Sequence, residues 1–224
     1  MENITEKDFD EEKEVSFSRK THLTLEIAGS AIFGALSIVF SLFITPIIPR
    51  IEGWGIAIIE PISIIWMICF LIFGVRAGLS CCIIGTFGLM WVDPFTPIGP
   101  IMKFAATVPL IIVPAIFLKL SRRVKNTHKS SILKEVKNYA LCGFLGVLIR
   151  IGLMLLFNIW IFLTIFAGFL NYTNLGFIGL PDVSGWTAIF LGVIIINAET
   201  SLWDLLIPYL VVFSTRLNEK FFIW

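Results

Sequence analysis

Charge and histidine are scarce in this chain. Only 15% of its 224 residues are Asp, Glu, Lys or Arg, and only 2 are His. A soluble domain carries about 25% charged residues, so an ordinary soluble fold is excluded. Two histidines are too few for a dinuclear metal enzyme or a His-based proton relay. The net charge is +1 and the charges gather on no folded face, which argues against a nucleic-acid partner. No Gly-x-x-x-x-Gly-Lys-Ser/Thr loop occurs, so the chain does not itself hold ATP by a P-loop. A His-Glu-x-x-His pair and a Gly-x-Ser-x-Gly elbow are also missing. His22 and His128 fall outside the apolar segments, which excludes a Ser/His dyad within a bilayer. The four cysteines (Cys69, Cys81, Cys82 and Cys142) sit in apolar stretches without a Cys-x-x-Cys pair. They read as small buried hydrophobes.

What is present is apolar. Hydrophobic residues make up 57% of the chain, with 21 Phe and 7 Trp, and the mean hydropathy is +0.92. Disorder needs low hydrophobicity, and β-barrel strands alternate polar and apolar residues; the runs here are unbroken. The composition predicts an integral membrane protein. A hydrocarbon core of about 30 Å takes about 20 apolar residues of helix. Six segments qualify: Leu23–Pro46, Ile56–Phe73, Val75–Val92, Pro100–Leu120, Asn138–Leu170 and Thr187–Phe213. The second and third meet at Gly74-Val75-Arg76 and predict a tight helical hairpin. The expected fold is an all-α integral membrane protein, six transmembrane helices in one bundle over residues 23–215. An acidic tail (1–22) and a short tail (216–224) flank it.

Lys and Arg set the orientation. Fourteen of the 17 fall on one side of a six-span arrangement. They lie in the N-terminal tail, at Arg76, between Lys119 and Lys137, and at Arg216 and Lys220. The other side has Arg50, and Lys103 and Arg150 lie inside spans. Both termini are therefore expected in the cytoplasm of a multi-pass cell-membrane protein. The first 22 residues hold seven acids, from Glu2 to Glu14, and read as a solvated tail. The first span reads as a retained signal-anchor, since a basic n-region and short h-region are missing.

Ionisable residues inside spans cost roughly 2.5–3.5 kcal/mol each and point to cavities, partners or work. They are Glu60, Lys103, Arg150, Glu199 and Asp204, joined by the polar Thr107, Asn158, Asn197, Thr200 and Ser201. Glu60 and Lys103 lie about one turn in from the outer side, and Asp93 ends the third span there; the three could share a pocket mouth. Arg150 and Glu199 fall near the midplane, as an ion pair or a polar pocket floor. Asn197, Ser201 and Asp204 are spaced i, i+4, i+7 on one helical face, with Glu199 roughly opposite. Asp204, deep toward the cytoplasm, reads as packing or capping. Trp54, Trp91 and Trp186 flank the outer connections as an interfacial belt or as walls for a flat ligand; Trp66 reads as packing. The outer connections PIIPRIEGWG (46–55), DPFTPIGP (93–100) and NYTNLGFIGLPDVSGW (171–186) are rich in turn formers and read as connectors or lids.

Span one carries Ala28, Ala31 and Ala35 on one stripe and Ser30, Gly34, Ser37 and Ser41 on the next. Small residues let another helix approach closely in lipid, within the bundle or from another subunit.

Together these residues resemble a family, the substrate-binding S components of energy-coupling factor (ECF) transporters. The resemblance covers about residues 23–215 and rests on the size and layout and on three stretches. Ala31-x-x-x-Ala35 is similar to the small-residue motif for docking on the transmembrane T subunit. FLIFGVRAGL (Phe70–Leu79) resembles the Phe-Gly-x-x-x-Gly turn. GPIMKFAATVPLIIVPAIF (Gly99–Phe117) is similar to the corresponding span of riboflavin-type members. The acidic tail lies outside the pattern. The resemblance implies capture of a vitamin-like micronutrient from outside, riboflavin first. Delivery would run through the T subunit, powered by two ABC ATPases, with no enzymatic activity or cofactor of its own. It points to Trp54, Lys103, Thr107, Asn158 and Asn197 as ligand-facing, beside Glu60 at the mouth. Ala28, Ala31 and Ala35 are the expected docking stripe. Lys103 could equally hold the carboxylate of biotin, pantothenate or folate. A stand-alone small secondary transporter, a membrane enzyme using intramembrane carboxylates, and a structural subunit are the alternatives.

Overall fold

The computed structural model describes residues 6–51, 54, 56–120, 129–170 and 172–221. Glu2, Arg122, Arg123, Lys125 and His128 lie outside the described residues. The fold is 81% helical. Six helices form the bundle: α1 (Glu6–Phe43), α2 (Pro61–Phe73), α3 (Val75–Leu89), α4 (Ile98–Leu120), then, after the short α5 (Lys129–Lys134), α6 (Val136–Thr164) and α7 (Gly185–Ser214). The short α8 (Leu217–Phe221) follows. This is the architecture of an all-α membrane protein. Among the described residues, four helices are long and apolar enough to cross a membrane: Lys20–Ile47, Ile98–Leu120, Val136–Thr164 and Gly185–Ser214.

The other two apolar helices are shorter than the expected spans. With 13 and 15 residues, α2 and α3 reach about 20 and 22 Å at 1.5 Å per residue. The cause is local. Pro61 opens α2 in the first helical turn, where its missing N–H costs nothing. Ahead of it, residues 49–51 run antiparallel to 56–58, with Ile51 and Ile56 joined by a 2.8 Å backbone hydrogen bond and Arg50 bridged to Ala57. Within this segment Ala57 is buried, while Arg50, Ile56 and Ile58 are exposed. At the other end Gly74 ends α2 at φ 93°, a backbone region that costs glycine little.

α2 is the centre of the bundle. Twelve of its 13 residues are buried, packed among α1, α3, α4 and α7. Trp66, Met67 and Phe70 have no exposed surface. The α1–α2–α3 contact depends on small side chains. A Cβ on Gly85 would stand 2.5 Å from Trp66 Nε1 and 2.6 Å from Ser37 Oγ, and one on Gly34 would meet Ile84. The Ser30–Gly34–Ser37 stripe is therefore used inside the bundle, where all three residues are buried. The lipid-directed faces of α1, α6 and α7 carry large apolar side chains such as Ile27, Phe144, Leu156 and Leu202.

Three features differ from the expected boundaries. α1 is continuous back to Glu6, so part of the acidic tail is helical. α6 ends at Thr164, and a 3-10 turn at Ala167–Phe169 takes up the rest of that segment. The third outer connection contains a two-stranded hairpin, β1 (Asn174–Leu175) and β2 (Leu180–Ser184).

At the opposite end α8 folds under α2. Phe221 packs on Phe73 with ring centroids 5.2 Å apart, and Lys134 Nζ donates to Glu219 Oε1 at 2.8 Å. That hydrogen bond holds the Glu219 carboxyl below its ordinary value. A carboxyl lowered by folding stabilises the fold above the unfolded value of about 4.3. The contribution fades as pH falls through the folded value. Glu219→Gln should therefore flatten the acid limb of a plot of Tm against pH, with neutral-pH stability little changed.

Candidate functional site

Two polar clusters stand out, one at the outer end and one in the middle of the bundle. The outer cluster is built by the start of α2, the end of α3 and the second turn of α4. Lys103 Nζ lies 3.0 Å from Asp93 Oδ2 and 3.7 Å from Glu60 Oε1. The three residues expected at one pocket mouth are thus in contact. Asp93 has a second duty. Its Oδ1 accepts the Phe95 N–H at 2.8 Å, and its carboxylate lies against Gly99, where a Cβ would stand 2.7 Å from it. Asp93 therefore folds the turn that delivers Lys103. Thr107, one turn below Lys103, is buried and donates to the Lys103 carbonyl at 2.9 Å.

Trp54 packs on a neighbouring apolar cluster. Its Nε1 donates to the Asn174 carbonyl at 3.0 Å, and its ring meets Phe177 edge-on at 6.1 Å. The ring also lies on Gly192 of α7, where any Cβ would collide with it. Trp54 thereby pins the first outer connection to the third. Beside it, Met154, Ile189, Val193 and Ala106 form a separate apolar cluster. Asn158, one turn beyond Met154 on α6, donates to the Met154 carbonyl at 2.8 Å.

The second cluster centres on Arg150 of α6, 6% exposed. Its Nη1 is 2.5 Å from Asp204 Oδ2, its Nη2 is 3.0 Å from Thr200 Oγ1 and its Nε is 3.2 Å from Asn197 Oδ1. One guanidinium reads three acceptors along one face of α7. The ion-pair partner is Asp204, not Glu199. Glu199 Oε1 instead accepts the Trp203 Nε1–H at 2.6 Å, one turn along the same helix. Asp204, fully buried, is correspondingly a buried counter-ion rather than a cap for the cytoplasmic ends. Its Oδ1 accepts a 2.5 Å hydrogen bond from Ser63 Oγ, in the first turn of α2. Ser63 Oγ is also 2.9 Å from the Glu60 carbonyl. The network thus runs from α6 through α7 to the residue that carries the outer carboxylate. Isolated charges in lipid are costly, and this arrangement gives Arg150 and Asp204 each a hydrogen-bonded counterpart.

The expected site residues therefore divide. Glu60 and Lys103 come together at the outer end with Asp93. Trp54 packs on the neighbouring apolar cluster, and Thr107 and Asn158 each donate to a carbonyl of their own helix. Asn197 belongs to the Arg150 network. Ser63 and Thr200 join that network without having been singled out among the residues to do so. The i, i+3, i+7 spacing of Asn197, Thr200 and Asp204 was the available signal. On α1, Ala28, Ala31 and Ala35 are exposed among the described residues.

No family model, no curated protein and no solved structure matches this chain.

Proposed function

We propose that the chain is the substrate-capture subunit of an ECF-type importer, binding a vitamin-like micronutrient, riboflavin first, from outside the cell. In this reading all six apolar helices lie within the bilayer, α2 and α3 as the shielded inner hairpin. Both termini face the cytoplasm, as the distribution of Lys and Arg supports. The ligand sits at the outer end, near Trp54, Glu60, Lys103, Thr107 and Asn158. Energy comes from two partner ATPases through a T subunit, and this chain does no chemistry itself.

The observation that carries the reading is the division of the small residues on α1. The Ser30–Gly34–Ser37 stripe is consumed inside the bundle, while Ala28, Ala31 and Ala35 are exposed among the described residues. A helix with one small-residue face spent internally and another left bare suits close approach by a second membrane subunit.

Ligand identification tests capture. The chain is extracted in mild detergent and denatured, and what is released is read by absorbance and mass spectrometry. A near-stoichiometric vitamin supports the proposal; an empty protein that binds no vitamin removes it. Docking is tested separately. Ala31→Trp should abolish co-purification with the T subunit and leave ligand affinity within about twofold, since the residue is exposed and lies on α1, outside the outer cluster. Persistent assembly would show that α1 does not dock through this face.

A further inference from the structure

Lys103 is already committed. Its ammonium serves Asp93 at 3.0 Å and Glu60 at 3.7 Å. Asp93 is committed as well, with one oxygen on Lys103 and the other on the Phe95 N–H. Glu60 differs. Its Oε1 is buried and receives no hydrogen bond, because Lys103 stands at ion-pair distance but beyond hydrogen-bond reach. A buried acceptor without a donor is an expensive group to leave in a fold. Charge leans the same way. Glu60 and Asp93 both face the ammonium of Lys103. Asp204, the next carboxylate, is matched by Arg150.

A ligand carboxylate entering here would be a third anion facing one ammonium, and it would leave Glu60 Oε1 still without a donor. A ligand N–H would complete Glu60 and break nothing. Lys103 has three ammonium protons, so it can also donate to a carbonyl beside that N–H. From the unfilled Glu60 oxygen beside a shared ammonium, we infer that the outer site recognises a neutral lactam or imide edge. The ligand N–H goes to Glu60 Oε1 and the adjacent C=O goes to Lys103, and ligands recognised through a carboxylate are rejected. This rests on the capture reading above and narrows its substrate class. Riboflavin offers such an edge at its ring N3–H, whereas pantothenate would be held by its carboxylate.

The full chain in detergent decides the matter with three probes: riboflavin, N3-methylriboflavin and pantothenate. Riboflavin should bind. Methylation of N3 should weaken binding by about tenfold to a hundredfold, the usual loss when a hydrogen bond to a charged group is removed. Pantothenate should not compete. Glu60→Met should weaken riboflavin by a similar factor, and the N3-methyl comparison on the unaltered chain decides if that variant does not fold. Equal binding of the methylated compound, or competition by pantothenate, overturns the inference. So does a ligand released from the purified chain that has no N–H beside a carbonyl, although that result leaves the capture reading standing. Failure of the chain to bind or release any vitamin overturns both.

Discussion

Replacing Asp204 by leucine while Arg150 stays in place should cost about 3–5 kcal/mol. A typical fold has only about 5–15 kcal/mol in hand, so a large share of the stability should go and the Tm in detergent should fall steeply. The cost comes less from the lost attraction than from what remains. Arg150 is 6% exposed, and without Asp204 its charge would have only the neutral Thr200 and Asn197 as partners. Ser63 would lose one of its two acceptors at the same time, keeping the Glu60 carbonyl. The double variant Arg150→Met/Asp204→Leu removes both charges with similar volume and should recover most of the loss. Size-exclusion profiles and thermal unfolding of the single and double variants measure this. Equal damage in both would mean that the pair is not what couples α6 to α7.

Trp66→Ala should cost about 3–5 kcal/mol, as loss of a large buried aromatic does when the surroundings cannot close the gap. Here they cannot. Trp66 is fully buried on α2, and its indole fits a notch made by Gly85 of α3 and Ser37 of α1. Those helices already touch through their smallest residues, so the backbone has nowhere to move. Thermal unfolding in detergent should show a large drop in Tm. A drop no larger than that of an exposed substitution such as Trp160→Ala would place the rigid part of the bundle elsewhere.

How much of this was legible in the residues depended on the kind of signal. Hydropathy placed the apolar helices to within a few residues, because burial in lipid leaves an unbroken apolar run. It overestimated α2 and α3, since Ile56–Ile59 are as apolar as a span yet belong to the loop that feeds Pro61. The outer cluster was legible because Glu60, Asp93 and Lys103 share one depth and one end of the bundle. The Arg150 partner was not. Depth alone pairs it with Glu199, but side-chain direction decides, and on α7 the i, i+3, i+7 series from Asn197 to Asp204 faces α6. The β1–β2 hairpin left no trace, being two residues against five with an irregular register. The role of Ser63 was hidden because a lone serine in an apolar helix ordinarily bonds its own backbone.

The position of α2 has a consequence for how the chain can change over time. A helix such as α6, with one side toward lipid, has positions where any apolar residue of any shape serves equally, and drift there should follow a period near 3.6. α2 has almost no such side. Nearly every one of its positions meets a neighbour of fixed shape, so the most hydrophobic and seemingly least informative segment of the chain should be the least free to vary.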